Sequence, residues 1–434
     1  SGNATPASIS MIMASDSQWA WTAKTDAGTS QSDSAKESGA TTLNKNHVKS
    51  MNSLISSLGN VRGVIINGDL TAYGHGKEFD EFKSIYAKLN APMYLGLGNH
   101  DYANNVNNTY ENNAANRMVN YMVSHIKGNG ASNYDFKVSD SYEFPNIETT
   151  TTGSLAYSWN IGKIHFVQLH NYPIYKRNWS NYVSIGAAKR RTVKITSALN
   201  WLAVDLAKAR NAGNIIIINF HDSNQHWGDF YNSSQLTTLS NQFRDMLTLY
   251  KVGAVFVGHY HTWLGKQTPS NRVAAYGNTP VFYCGSASQS KYLLVNFNDD
   301  KMTVENISSL NGDATKSNEQ TYTMFNKAET VTVPKEDGWV TFFNQAGYVA
   351  KYSLSYTVNG EKKSYNTGNI ALGNKRRYNV PGNATNVKVK GEGKTGLVWE
   401  MWRTTFNKKY DGPPNKCFKS YGTTLNQKWN NNCK

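Results

Sequence analysis

Five short apolar runs in the first 261 residues each stop at a polar cluster, which confines this part of the chain to folds whose buried strands end close together. The runs are Ser8–Ala14, Gly63–Ile66, Pro92–Leu95, Ile215–Ile218 and Ala254–Val257. Each is short, β-branched or aromatic, and bounded by Gly, Pro or Asn, which predicts buried strand. The clusters behind them are Asp16-Ser17-Gln18, Gly68-Asp69, Gly98-Asn99-His100-Asp101, Asn219-Phe220-His221-Asp222 and Gly258-His259-Tyr260-His261. Helix-like stretches, Glu78–Leu89, Thr192–Ala212 and Leu236–Tyr250, lie among the runs, so strand and helix alternate as in an open α/β sheet. Such sheets bind ligands beyond the carboxyl ends of their strands, and the five clusters are expected in one crevice.

The side chains gathered this way are carboxylates, amides and imidazoles, donor types suited to Mn, Fe or Zn, with no thiolate among them. Two divalent ions about 3.5–4 Å apart bind the oxygens of a phosphate ester, deprotonate a bridging water and stabilise an in-line transition state. A bridging carboxylate is needed between them, and Asp69 is the natural candidate. His259 and His261 are expected on one side of an extended backbone, since side chains alternate with period two, so that each serves one ion. Each motif alone has an ordinary alternative: Gly-Asp after a strand makes a turn, and Gly-Asn-His-Asp makes a loop whose Asn and Asp cap local backbone groups. The joint order in an alternating α/β frame carries the metal reading.

These motifs resemble the calcineurin-like metallophosphoesterase superfamily, whose pattern is D-x-H, GD, GNH-D/E, an isolated H and G-H-x-H, over about the first 310 residues. The resemblance implies a four-layer α/β/β/α sandwich and a phosphoric ester hydrolase with two divalent metal ions. Carried over by position, Asp16, Gln18, Asp69 and His261 bind the first ion, and Asp69, Asn99, His221 and His259 bind the second. His100 is implied to donate a proton to the leaving oxygen, with Asp101 accepting from its other ring nitrogen. The chain departs from the pattern at Gln18, where the family has histidine. A neutral amide oxygen is a harder and weaker donor than imidazole, so the first ion is expected to exchange more easily. The purple acid phosphatases carry a tyrosine ligand three residues after the bridging aspartate; Tyr73 stands one place further on and is not assigned to metal.

Asn99, His170 and His226 are the expected substrate contacts, and the insertions Ala20–Asn44 and Tyr102–Leu155 the expected walls of the crevice. His75 and His165 read as structural. The metal donors are common to monoester and diester hydrolysis. A phosphomonoesterase is the first expectation, and a phosphodiesterase acting on phospholipid head groups or nucleotides is the alternative. A reading of another class is a non-catalytic adhesin or toxin-like binding protein that retains the fold, against which stands a complete donor set with His100.

A chain of 434 residues exceeds the size at which one core stops growing, about 250–300 residues. From Val331 onward there are 17 Lys and Arg against 6 Asp and Glu, so +11 of the net +15 belongs to the last quarter. Past a linker at Pro334–Gly338, strand-like segments such as Tyr348–Leu354, Asn386–Lys390 and Gly396–Trp399 alternate with Gly-rich turns, which predicts a small all-β sandwich. The expected division is 1–330 for the catalytic domain and 331–434 for a basic accessory domain.

Lys362-Lys363, Lys375-Arg376-Arg377 and Lys388-x-Lys390 are candidates for a face that binds anionic lipid, glycan or wall polymer, with Trp399, Trp402 and Trp429 as partners. The competing expectation packs Trp399 inside the sandwich. No DNA- or RNA-reading motif is visible, so nucleic acid is not an expected partner. Cys417 and Cys433 are expected to bridge and staple the tail, while Cys284 reads as a buried strand residue. The polar opening Ser1–Thr5, the cysteine bridge and the low charged fraction lead to an expected secreted protein, extracellular or periplasmic, with a signal peptide already removed. No stretch is long and apolar enough to span a bilayer.

Overall fold

A computed structural model describes residues 8–106, 114–143, 146–184, 187–269, 274–358 and 360–434. The opening residues Ser1–Thr5, and parts of the Tyr102–Leu155 segment, lie outside the described residues. Contacts divide the chain into two compact units. One comprises Ser1–Lys137, Thr151–Asn181 and Val193–Val331; the other comprises Val138–Thr150, Tyr182–Thr192 and Thr332–Lys434. The second unit thus includes two hairpin segments that the sequence division at 330 leaves in the first.

In the first unit the five apolar runs form strands Ile9–Ala14, Val61–Asn67, Met93–Gly96, Ile215–Asn219 and Ala254–Val257. The first three sit side by side in a six-stranded sheet, in parallel register, with Lys291–Asn298 added antiparallel to Ile9–Ala14. The other two are parallel neighbours in a seven-stranded sheet, flanked by Ile164–Gln168 and Val281–Cys284. The sheets meet face to face: Phe166 touches Phe297 with ring centroids 6.0 Å apart, and Asn67 Nδ2 donates to Asn219 Oδ1 across the interface at 3.2 Å. Helices Asp33–Leu58 and Ala114–Gly128 lie against the first sheet, with Gly76–Tyr86 packed on Asp33–Leu58, and Leu199–Ala212 lies against the second, with Ser233–Leu249 packed on it. The result is the α/β/β/α layering, in which the central strands of both sheets are buried on both faces and are continuous apolar runs, while the outer strand Thr315–Thr323 is exposed.

Two local expectations are corrected. Thr192–Ala212 is not one helix: strand Ala187–Ile195 runs into it, and the helix begins at Leu199. Val193 and Ile195 alternate buried with exposed Lys194, a strand period that the following helical pattern obscures. Ala20–Asn44 is not a free insertion, because helix Asp33–Leu58 occupies much of it, capped by Ser32 Oγ on the Ala35 amide and ended by left-handed Gly59. Its buried face is polar at Asn44, His47 and Ser50, so it lacks the apolar stripe that announces a helix. Those polar groups are used: Asn44 Nδ2 donates to the Ser17 carbonyl at 3.1 Å and its Oδ1 accepts from Tyr86 Oη at 2.5 Å.

In the second unit the two hairpin segments belong to one four-stranded sheet, and the segment Thr332–Lys434 forms two further four-stranded sheets, one built on Gly338–Asn344 and Asn415–Thr423, the other on Ala350–Val358 and Thr385–Lys394. Val340, Phe342, Leu354, Val389, Phe406 and Phe418 fill the space between them, with Phe342 stacked on Tyr352 at 4.8 Å. A Cys417–Cys433 disulfide closes the tail. Trp399 does not pack inside: residues 395–401 form a loop, with Val398 93% and Trp399 82% exposed. Nor do the basic clusters share one face. Lys375–Arg377 lie on the strand paired with Gly338–Asn344, whereas Lys362, Lys363, Lys388 and Lys390 lie on the opposite sheet.

Among the described residues no helix is long and apolar enough to cross a membrane. Replacing Asn44 by Ala is expected to lower stability by about 2–4 kcal/mol, because the Ser17 carbonyl and Tyr86 hydroxyl lose their buried partner. A drop in the urea unfolding midpoint at constant slope checks this, and an unshifted midpoint counts against it.

Candidate metal centre

Each polar cluster occurs where its strand ends, and the backbone there is bent into conformations that turn the side chains toward one point. Asp16, Gln18, Asp69 and His259 all have positive φ, at 53°, 37°, 49° and 74°. Non-glycine residues enter this region at a cost, and such residues concentrate at functional sites. The close approach of the loops depends on two glycines. A Cβ on Gly98 would overlap the amide and carboxylate of Asp69, and one on Gly258 would overlap the Ser15 hydroxyl and Asp16 carboxylate.

Among the described residues three groups of donors come together, one of them Asp222, His226 and His259, and Asp69 belongs to the other two. Asp69, His221 and His259 offer ligand atoms within 4.8 Å of one another, and so do Asp16, Asp69 and His261. His221 Nδ1 donates to the Asn67 carbonyl at 2.8 Å, which leaves Nε2 facing Asp69 Oδ2 at 3.1 Å, Asn99 Oδ1 at 3.0 Å and His259 Nδ1 at 3.2 Å. Atoms that all present lone pairs meet there, an arrangement that a cation or a proton must hold together. At the other group, Asp16 Oδ2 accepts from Ser15 Oγ at 2.6 Å and the His259 amide at 2.9 Å, while Oδ1 lies 3.1 Å from His261 Nε2 and makes no hydrogen bond. Gln18 is fully buried with both amide atoms unpartnered. Buried polar atoms without partners are rare, and here they belong to the carboxylate and amide that the donor pattern aims at a cation. The residues present therefore fit divalent cations.

Charge reinforces the geometry. Burial opposes ionisation of Asp69, but His221, His100 and His259 outweigh it and hold its carboxyl below the usual carboxylate range. Burial works to lower His221 and His261; the carboxylates of Asp69 and Asp16 push His221 up to about 10, and those of Asp16 and Asp26 push His261 up to about 10.

The structure corrects three expectations about these residues. Asp101 does not orient His100: the His100 Nδ1 is bonded to the Ala72 carbonyl at 2.8 Å. Asp101 instead accepts from the amides of Leu70, Thr71 and Gly98 and from Thr71 Oγ1, at 2.8–3.0 Å, clamping the Asp69 loop to the Asn99 loop. Burial and the Asp69 carboxylate push Asp101 up to about 7, with those donors opposing. His170 does not reach substrate; it is buried, its Nδ1 accepting from the Leu97 amide at 3.1 Å and its Nε2 donating to the Leu155 carbonyl at 2.5 Å. His259 and His261 are not on extended backbone, because left-handed His259 and a turn at His261 replace the strand. Of the two insertions expected as walls, 20–44 does contribute one: the Trp21 ring lies 5.4 Å from His100 and 6.0 Å from His261.

His226 stands beside the centre, its ring 5.7 Å from His259 and its Nδ1 3.0 Å from Asp229 Oδ2. His165 is structural, bonded to Asn160 and Asp205. Tyr73 is exposed, with its ring 5.9 Å from His100. Sequence reasoning missed three supporting residues. Asp26 Oδ1 lies 2.5 Å from His261 Nδ1; Gln225 Oε1 accepts from His259 Nε2; and Asp222 holds the amides of Asn224, Gln225 and His226. Asp222 adjoins His221 and was within reach, whereas nothing in the local sequence distinguishes Asp26 or Gln225.

A family model described as calcineurin-like phosphoesterase matches residues 44–263, and one described as thiol-activated cytolysin beta sandwich domain matches residues 339–428. Purple acid phosphatase 15 of Arabidopsis thaliana is 28% identical over 181 residues, which are 40% of this chain and 28% of that protein. Listeriolysin O of Listeria monocytogenes serotype 4b (strain CLIP80459) is 31% identical over 116 residues, 24% of this chain and 22% of that protein. The chain thus matches less than a third of the length of either relative. Among solved structures, the membrane-binding domain of pneumolysin is 25% identical with a TM-score of 0.20, covering 23% of this chain and 98% of that one.

Cation binding is expected to strengthen as pH rises. The neighbouring carboxylates raise the proton affinity of His221 and His261, so a cation competes with protons there, and affinity should climb by up to about tenfold per pH unit for each proton released. Calorimetric titration with Mn²⁺ in buffers of different ionisation enthalpy counts the protons; affinity that stays flat from about pH 6 to 8 overturns the expectation.

Proposed function

Because the chain belongs to the calcineurin-like phosphoesterase family, we propose that it is a phosphoric ester hydrolase working with two divalent cations that share Asp69. The observation that carries this reading is the membership of Asp69 in two donor groups, the arrangement a two-cation site requires. Asp16, Gln18, Asp69 and His261 would hold one cation and Asp69, Asn99, His221 and His259 the other. Bound there, Mn, Fe or Zn supplies Lewis acidity toward the ester oxygens and an activated water.

The protein's own groups orient and protonate. Asp101 keeps the Asp69 and Asn99 loops at fixed separation. His100 is fixed by the Ala72 carbonyl at Nδ1, which leaves Nε2 as the atom that passes a proton to the leaving oxygen. Trp21 and Tyr73 wall the His100 side, so the leaving group meets aromatic surface there.

A phosphoric monoester is the preferred substrate in this reading, supported by the likeness to a purple acid phosphatase. A second reading, a diester carried by a lipid head group, is favoured by the apolar end of the β-sandwich. Leu372, Val398, Trp399, Met401 and Leu425 are all exposed. The strand register places their loops at one end: Ala350 pairs with both Ile370 and Gly393, and Arg403 donates to the Leu425 carbonyl at 3.2 Å. The match of residues 339–428 to a cytolysin β-sandwich supports the same role, attachment to a membrane surface outside the cell.

His100→Ala is expected to lower kcat for p-nitrophenyl phosphate by about 10²–10⁴-fold while leaving bound metal unchanged. Bis-p-nitrophenyl phosphate measured beside it separates the two ester classes. Absence of turnover with both esters in Mn²⁺, Fe²⁺ and Zn²⁺ sinks the hydrolase reading and favours a non-catalytic binding protein. For the apolar end, Trp399→Ser is expected to weaken retention on phospholipid vesicles by about tenfold or more, the loss of one buried large side chain. Retention equal to the wild type removes the membrane role.

A further inference from the structure

We infer that Asp26 is a positioning residue that compensates for Gln18 at the first cation position, an inference that rests on the two-cation reading above. The first position has one neutral oxygen donor where the family pattern has an imidazole, and a neutral amide oxygen is the weaker ligand. Gln18 occupies that place with its amide buried and unpartnered.

The neighbouring donor, His261, is supported differently from the other imidazoles. His221 Nδ1 donates to the neutral Asn67 carbonyl at 2.8 Å, and His259 Nε2 donates to the neutral amide oxygen of Gln225. Behind His261 stands a carboxylate, with Asp26 Oδ1 2.5 Å from Nδ1. A carboxylate behind a ligating histidine fixes the tautomer, so that Nε2 presents its lone pair, and raises the ring's strength as a donor. A carboxylate is therefore hydrogen-bonded to the outer nitrogen of His261, whereas the outer nitrogens of His221 and His259 meet neutral oxygens, although the Asp222 carboxylate lies within 4.8 Å of a His259 nitrogen.

Asp26 is built to stay in place. Its Oδ1 also accepts from Trp21 Nε1 at 2.7 Å, and its Oδ2 accepts from Ser288 Oγ at 2.6 Å and Gln289 Nε2 at 2.7 Å. With His261, four donors fill the lone-pair sites of one ionised carboxylate. Rotation or protonation would forfeit at least one of them, so the group faces Nδ1 as a fixed anion. The same bond to Trp21 places the aromatic wall and the metal donor on one anchor.

Mn²⁺ titration of the full chain, read by calorimetry and by metal analysis after dialysis, tests this in a cycle of Asp26→Asn, Gln18→His and the double variant. Wild type is expected to bind two ions; Asp26→Asn should weaken one by about 10–100-fold and leave the other unchanged. With Gln18→His in the background most of that loss should disappear. The inference is overturned if Asp26→Asn leaves both affinities intact, weakens both by one factor, or costs the same with His as with Gln at position 18. Should Asp26→Asn fail to fold, Ser288→Ala removes one donor but keeps the carboxylate. It should weaken the same ion by a smaller factor, and an unchanged affinity counts against the inference. A wild type that binds fewer than two ions defeats the two-cation reading itself, an outcome distinct from all of these.

Discussion

A buried carboxylate shared by two sets of donors governs the catalytic unit. Asp69 sits at the end of a central strand, withdrawn from water, with one oxygen near His221 and the other accepting from the His100 amide. An anion in that position needs compensating partners, which the His221, His100 and His259 imidazoles and the His100 N–H supply. Asp101 extends the logic by one layer, since its hydrogen bonds tie the backbone of the Asp69 loop to that of the Asn99 loop.

The two-sheet architecture serves this arrangement at the level of the core. Beneath the donors a polar seam crosses the sheet interface: Gln168 Nε2 donates to Asn67 Oδ1 at 2.9 Å, and Asn67 Nδ2 reaches Asn219 Oδ1 and the Phe256 carbonyl, both at 3.2 Å. A mismatched seam inside an apolar core would be costly, so these groups set the register of one sheet on the other. His221 joins the seam through its bond to the Asn67 carbonyl, which links the position of a metal donor to the packing of both sheets. Helix Asp33–Leu58 acts similarly through Asn44, whose amide holds the Ser17 carbonyl between Asp16 and Gln18.

The β-sandwich follows simpler rules. Alternation along Ala350–Val358 buries one side of each strand and leaves the other wet, and an aromatic stack from Phe342 to Trp429 fills the middle. What it displays is decided at its loops. Its lysines and arginines are spread over both sheets, and several lie over aromatic rings, as Arg377 does over Trp339 and Lys351 over Trp402. The concentrated feature is the apolar end around Trp399.

The sequence alone made the five site strands legible, because a fully buried strand must be a short apolar run, and it showed carboxylates, amides and imidazoles at their ends. The family resemblance picked out Asp16, Asp69, Asn99, His221, His259 and His261, which folding brings close together, and the alternation of the C-terminal strands was legible from its period of two. Tertiary structure decided what local pattern does not encode. The partner of a ring nitrogen is chosen by whichever group folding brings within about 3 Å, so Ala72 rather than Asp101 holds His100, and His170 serves the backbone instead of the crevice. Asp26 is the clearest case: it is separated from His261 by 235 residues and set in a polar stretch with no periodicity of its own. Trp399 was misplaced for a related reason, since an apolar residue between glycine-rich turns reads alike whether its loop folds onto the core or stands away from it.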